Sequence, residues 1–150
     1  MIEVRHSVVI DRPVDEVFAF VGNVANLPRW AAVAVEAHQT TDGPVGVGTH
    51  FHAVVEFLGR RVDAEYAVTH YEPSRRVSIR TLSGPFLLDN TYLFVPLDGG
   101  TRVDVVSRGK APVPFRFAER LIHGAIERQF RADHDNLKRV LEAQARPPTA

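Results

Sequence analysis

The chain has 150 residues, of which 45% are hydrophobic and 24% are charged, and these values are typical of a single globular domain. Its 18 basic residues balance its 18 acidic residues, so no long-range field attracts nucleic acid or an anionic membrane. Cysteine is absent, which excludes disulfides, thiolate metal sites and a cysteine nucleophile.

The N-terminal segment predicts a strand followed by a short helix. Ile2–Ile10 is rich in β-branched residues, and its charges leave no apolar run as long as a signal core or a membrane span. We therefore expect a cytoplasmic protein. Pro13 suits the first turn of a helix, and apolar residues recur at helical spacing as far as Gly22. The following "GNVANLPRW" predicts a short broken helix or turn that leads to Trp30.

Six further strands are predicted before the C-terminal region. They cover Val33–Thr40, Thr49–Leu58, Arg61–Tyr71, Arg76–Ser83, Phe86–Val95 and Thr101–Ser107. The short connections between successive strands favour an antiparallel meander. The prolines at positions 44, 73, 85 and 96 are expected between the strands, where a missing N–H group does no harm.

From Pro112 to about Glu142 the apolar residues follow a helical period. One stripe of this helix consists of Phe115, Ala118, Ile122, Ile126, Phe130, Leu137 and Leu141. Such a helix would run on the order of 45 Å, at about 1.5 Å per residue, and could cross a whole sheet. We expect residues 145–150 to form a flexible tail, which leaves one domain over residues 1–144.

Alternation along the strands makes one face of the predicted sheet apolar. In "GTHFHAVVEFLG", Phe51 and Val55 belong to that face, whereas His50, His52 and Glu56 lie on the other. Three such side chains on one face of a strand could hold a metal ion, but charged residues of the neighbouring strands share the face, so we expect solvent and no metal there. Neither a phosphate loop nor a dinucleotide motif is present, and no cofactor is expected.

Polar residues in the inward phase are candidate ligand contacts. Asn90 stands between Leu88 and Tyr92, where an unpaired amide would be costly. Either a ligand or a neighbouring backbone group could satisfy it. The inward face also offers hydroxyl groups, which contact a ligand or are satisfied within the core: Tyr66, Thr81, Tyr92 and Ser107.

The order of elements, with "VVIDRPVDEVFAFVGNVANLPRW", "GVGTHFHAVVEFLGRRVDAEYAVTHYEPSRRVSIR" and "YLFVPLDGGTRVDV", resembles the START-like helix-grip (SRPBCC) superfamily. Within it the sequence is most similar to the polyketide cyclase/dehydrase branch, from about Glu3 to Glu142. The resemblance implies an α+β helix-grip fold, in which a curved, antiparallel, seven-stranded sheet wraps around a long C-terminal helix and two short helices follow the first strand. It also implies an apolar cavity between sheet and helix.

This resemblance implies binding of a small hydrophobic molecule, such as a lipid, a sterol or a polyketide-like compound. The alternatives are a cofactor-independent polyketide cyclase, aromatase or dehydratase, whose catalytic residues the sequence does not identify, and a non-catalytic protein that acts through its surface. We expect a monomer or homodimer that binds no nucleic acid. The predicted ligand contacts are Trp30, Phe51, Val55, Tyr66, Ile79, Thr81, Leu88, Asn90, Tyr92, Val105, Ala118, Ile122 and Ile126.

Overall fold

The computed structural model of the protein describes residues 2–110 and 117–144. These residues form seven strands, two α-helices and one 3₁₀ helix. In chain order they are β1 (Ile2–Ile10), α1 (Val14–Gly22), the 3₁₀ helix (Val24–Arg29), β2 (Ala34–Gln39), β3 (His50–Phe57), β4 (Arg60–Glu72), β5 (Arg76–Ser83), β6 (Leu87–Leu97), β7 (Gly100–Lys110) and α2 (Glu119–Ala143).

All seven strands belong to one antiparallel sheet, in the order β1-β7-β6-β5-β4-β3-β2. From β2 to β7, strands that follow one another in the chain are neighbours, which is the predicted meander. Strand β1 lies at one edge and β2 at the other, and α1 with the 3₁₀ helix carries the chain between them. The curved sheet wraps around α2. The predicted α+β helix-grip fold is confirmed.

Local sequence explains the two short helices. Pro13 precedes α1 with φ −60°, and Asp15 and Glu16 place negative charge in its first turn, where the helix dipole favours it. Asn23 then separates α1 from the 3₁₀ helix, and its side chain accepts a hydrogen bond from the Ala25 N–H at 3.1 Å. This cap fixes the turn that leads the chain to Trp30.

The main core lies where α1 and the C-terminal half of α2 meet the sheet. Leu137 and Leu141 of α2 are fully buried there. Phe18 of α1 makes edge-to-face contacts with Tyr71 and Phe94, each at a ring-centroid distance of 5.1 Å. These contacts fix one end of the long helix and both short helices against the sheet.

Two sequence predictions about element boundaries are wrong. Pro96 lies inside β6, not between strands. The Phe94 N–H donates to the Arg75 carbonyl. The nitrogen of Pro96 faces the same side two residues further on, where β5 has already ended. The missing N–H of proline therefore costs no hydrogen bond between strands. The long helix begins at Glu119 and not at Pro112. The predicted positions of Phe115 and of the tail 145–150 lie outside the described residues.

Candidate functional site

A cavity of about 520 Å³ lies between the inner face of the sheet and residues 122–134 of α2. Strands β3 to β7 form its floor, and the 3₁₀ helix with the segment after it closes one side. Its lining residues are mainly apolar: Val21, Val24, Leu27, Trp30, Ala31, Val33, Val55, Phe57, Leu58, Ala64, Tyr66, Ile79, Pro85, Phe86, Leu88, Tyr92, Ile122, Ala125, Ile126 and Phe130. The polar residues of the wall are Asn23, Glu56, Thr81, Asn90, Ser107, Gln129, Asp133 and His134.

The position of α2 explains why this space is not filled. Ile122, Ile126 and Phe130 pack against Ile2 and Val4 of edge strand β1, while they also line the cavity. The N-terminal half of the helix therefore rests on the β1 edge and leaves the middle of the sheet uncovered. A curved sheet and one straight helix enclose a gap wherever their side chains do not reach across it.

Most of the predicted ligand contacts line this cavity: Trp30, Val55, Tyr66, Ile79, Thr81, Leu88, Asn90, Tyr92, Ile122 and Ile126. Phe51 and Val105 do not, because both are enclosed in the main core with at most 1% of their surface exposed. Ala118 does not line it either. It precedes the first turn of α2 with φ −104° and ψ 20°, so it is not in the helical phase that brings Ile122 to the wall.

Two polar groups on the sheet side of the cavity have no hydrogen-bond partner among the residues that the structure describes. Asn90 of β6 and Ser107 of β7 are directly opposite each other in the antiparallel register, and both line the cavity. Within the described part of the chain, neither Asn90 Oδ1 nor Ser107 Oγ, both buried, has a partner. Buried polar atoms are nearly always paired, so a polar group of a ligand could satisfy these two oxygens.

His134 of α2 is a buried ionisable group of the site, with 2% of its surface exposed. Its Nδ1 lies 2.7 Å from the Phe130 carbonyl oxygen, which can only accept, so Nδ1 carries the proton. Nε2 then accepts from the Tyr92 hydroxyl at 3.3 Å. Burial lowers the pKa of His134 to about 4, and burial also raises the pKa of Tyr92. Both groups are neutral at pH 7.

Sequence reasoning missed His134. It lies four residues after Phe130 and three before Leu137, so it continues the apolar stripe of α2. A polar residue at a stripe position is the signal that could have identified it.

Trp30 is held in the wall by packing and by a hydrogen bond. Its ring makes an edge contact with His134 at a centroid distance of 5.1 Å, and its carbonyl accepts from Asn136 Nδ2 at 3.0 Å. Next to it, Asp133 Oδ1 accepts from the Ala32 N–H at 3.1 Å and from Gln129 Nε2 at 2.7 Å. Burial raises the pKa of Asp133. The segment after the 3₁₀ helix is therefore tied to α2.

Two loops meet at the open side of the cavity. Phe57, at the end of β3, contacts Phe86, just before β6, edge to face at 5.1 Å. Leu58 follows in a left-handed conformation with φ 53° and is 76% exposed. Apolar side chains thus surround the entrance as well as the interior.

Comparison with known proteins identifies the family. The sequence matches the family model "Polyketide cyclase / dehydrase and lipid transport" over residues 1–142. The chain belongs to this family. No curated protein matches the sequence significantly.

Solved structures share the fold of this polyketide cyclase/dehydrase family member. TTHA0849 from Thermus thermophilus superposes with a TM-score of 0.79 and 18% identity, over 94% of this chain and 97% of that one. The aromatase/cyclase Zhui from Streptomyces sp. R1128 gives 0.75 and 16%, over 93% of each chain. The di-domain aromatase/cyclase BexL of the BE-7585A biosynthetic pathway gives 0.76 and 21%, over 95% of this chain, which spans 47% of BexL.

The histidines of β3 do not assemble a metal site with Glu56. His52 Nε2 lies 2.9 Å from Asp63 Oδ1 on β4, and the His52 ring lies 5.2 Å from that of His38. Glu56 is exposed at the rim of the cavity, 3.8 Å from Arg61. Across residues 2–110 and 117–144, no three histidine, aspartate or glutamate side chains are grouped so that they could hold a metal ion.

In the same part of this family member, no helix has both the length and the apolar character needed to cross a membrane. The long helix α2 carries charged residues along much of its length, including Glu119, Glu127, Arg131 and Lys138.

Proposed function

We propose that the protein binds a small hydrophobic molecule, such as a lipid, a sterol or a polyketide-like compound, in the cavity between the sheet and α2. The observation that carries this proposal is the cavity itself, with about 520 Å³ of space and a mainly apolar wall. Small-molecule sites typically have this form, with a few polar groups that orient the ligand.

The energetics of packing support the proposal. Protein interiors are close-packed and contain few voids larger than a water molecule. An apolar space of this size gives up the dispersion contacts that side chains would otherwise make. Larger residues at Ala31 or Ala64 in the wall could reduce it, yet both positions have small side chains. A ligand would restore the missing contacts.

The family and the similar structures support the same general role. The family description combines polyketide cyclases, dehydrases and lipid transport. Two of the similar structures, BexL and Zhui, are named as aromatase/cyclases. Since their identities to this chain are 21% and 16%, they support a shared fold and leave the ligand to be found by experiment.

A matched pair of substitutions on β6 tests the proposal. Leu88→Trp places an indole in the cavity, whereas Leu93→Trp places one on the outer face of the same strand, where Leu93 is 44% exposed. Native mass spectrometry of gently purified protein and calorimetric titration with fatty acids, sterols and aromatic polyketides measure binding. We expect saturable binding by the wild type and the Leu93 variant, and a loss of about ten-fold or more in the Leu88 variant. If no bound species and no saturable binding are found with any class, the proposal is wrong.

A cyclase or dehydratase activity is the second candidate, and the hydrogen-bonded pair of Tyr92 and His134 in the cavity wall favours it. The Tyr92 hydroxyl could polarise a substrate carbonyl, with His134 holding the hydroxyl in place. However, a general base works best when its pKa is close to the working pH, and that of His134 is lowered to about 4. Binding is therefore better supported than catalysis. Incubation with aromatic polyketide substrates, compared with the Tyr92→Phe variant, distinguishes the two, since unchanged substrates would exclude this activity.

A further inference from the structure

The described part of the cavity wall offers no positive charge to a ligand, since its lining residues include neither lysine nor arginine. The ionisable groups among these described residues, besides tyrosine, are Glu56 at the rim, Asp133 and His134. His134 already uses both nitrogens, Nδ1 toward the Phe130 carbonyl and Nε2 toward the Tyr92 hydroxyl. A buried carboxylate or phosphate would therefore lack a counter-ion, and Asp133 would repel it.

The unpartnered oxygens instead favour a neutral ligand group that can donate a hydrogen bond. Asn90 Oδ1 can only accept a hydrogen bond, so a ligand group that satisfies it must donate. The Ser107 hydroxyl can donate or accept a hydrogen bond. Ser107 of β7 is directly opposite Asn90 of β6, so the two side chains form a cross-strand pair. A hydroxyl is a small neutral group that donates to one neighbour while it accepts from another. An ionised carboxylate cannot donate.

We infer that the ligand is an uncharged apolar molecule with a hydroxyl group, and that this hydroxyl lies between Asn90 and Ser107. It donates to Asn90 Oδ1 and accepts from the Ser107 hydroxyl, while the apolar body fills the rest of the cavity. This inference rests on the proposed function and narrows it to phenols and alcohols, including sterols. Fatty acids in their ionised form are excluded as good ligands.

Two matched sets of probes test the inference near neutral pH. Phenanthrol, phenanthrenecarboxylate and phenanthrene share a ring system, and dodecanol and dodecanoate share a chain. By titration calorimetry we expect phenanthrol or dodecanol to bind about ten-fold or more tightly than the matching carboxylate. Comparison of phenanthrol with dodecanol shows whether the protein prefers a phenolic or an aliphatic hydroxyl.

Variants of the wall locate the contact. Asn90→Leu and Ser107→Ala should each weaken phenanthrol binding several-fold toward the affinity of phenanthrene, while phenanthrene binding changes little. Thr91→Val is the control, because Thr91 is adjacent to Asn90 but pairs with Ser78 on the outer face at 3.0 Å. Thermal unfolding shows whether each variant is folded, and Ser107→Ala, the smaller change, provides the test if Asn90→Leu does not fold.

The outcomes separate the inference from the proposed function. Carboxylates that bind as tightly as the hydroxyl compounds would overturn the inference and leave hydrophobic binding intact. A preference for hydroxyl compounds that survives in both variants would overturn the assignment to Asn90 and Ser107. If none of the five probes binds, phenanthrene included, the inference fails, and the proposed function fails as well when fatty acids, sterols and aromatic polyketides also show no saturable binding.

Discussion

The two halves of α2 face the same sheet but contact it differently. In the C-terminal half, Leu137 and Leu141 are fully buried against the main core. In the N-terminal half, Ile122 and Ile126 are only partly buried, since they lean on edge strand β1 and line the cavity. His134, buried and hydrogen-bonded to Tyr92, stands where the packed half meets the open one.

Under the proposed function, this difference lets one helix combine stability with a binding site. Leu137 and Leu141 of the C-terminal half are fully buried in the main core, so the fold depends more on this half than on the half that faces the cavity. Space is tolerated in the other half because the helix is already fixed. In this proposal, ligand binding and folding stability involve different turns of the same helix.

Truncation of one side chain in each half is the strongest test of this comparison. Leu137→Ala removes a fully enclosed side chain and should lower the free energy of unfolding by about 4 kcal/mol. Ile126→Ala removes a partly exposed one, with open space on one side, and should cost about 1 kcal/mol. Urea unfolding of both variants measures the difference. Equal losses would mean that the cavity half is packed as tightly as the core, contrary to the structure.

His134 at the boundary makes the packed half sensitive to acid. Burial lowers its pKa to about 4 in the folded protein, against 6.5 for an ordinary histidine, so the unfolded chain binds the proton more tightly. The contribution of the neutral, buried His134 to the free energy of unfolding is therefore present above pH 6.5 and is lost as the pH falls toward 4. The loss amounts to about 3 kcal/mol, because one pKa unit corresponds to about 1.4 kcal/mol.

The His134→Gln variant isolates this contribution. Glu3 and Glu142 also respond to acid, because their partners Arg5 and Lys138 lower their pKa values below the ordinary value. They titrate alike in wild type and variant. We therefore expect the free energy of unfolding to fall about 3 kcal/mol further in the wild type between pH 7 and 4. Parallel pH profiles for the two proteins would show that His134 is not buried as a neutral group.

Much of the fold could be predicted from the sequence because its signals are local. Alternation of apolar residues, turns between them and a change to helical spacing specify the strands, their antiparallel pairing and the long helix. The sequence does not predict Pro96 within β6, because a proline within a strand is harmless only where the neighbouring strand has ended, and that depends on tertiary structure.

The candidate site could be predicted only in part. Alternation shows that Phe51 and Val55 point to the same side of β3, but not that Phe51 is enclosed while Val55 borders open space. That distinction depends on how far α2 stands from each part of the sheet. The same limit explains why Val105 was assigned to the cavity. Whether a buried polar residue such as Asn90 finds a partner is likewise decided by tertiary contacts.

Two asparagines, one in each region, provide the smallest predicted effect. Asn136, in the packed half of α2, donates from Nδ2 to the Trp30 carbonyl at 3.0 Å, so Asn136→Leu leaves that carbonyl unpaired and should destabilise the protein by about 1 kcal/mol. Asn90, in the cavity wall, has an unpartnered Oδ1, so Asn90→Leu removes an unsatisfied group and should stabilise the ligand-free protein by about 1 kcal/mol. Chemical denaturation of ligand-free protein measures both.

The informative result is that one substitution destabilises the protein and the other stabilises it. Asparagine would then reduce stability only where it faces the cavity, as expected of a residue retained for binding. Destabilisation by Asn90→Leu would show that its amide is satisfied within the wall and that the cavity side of the comparison is wrong.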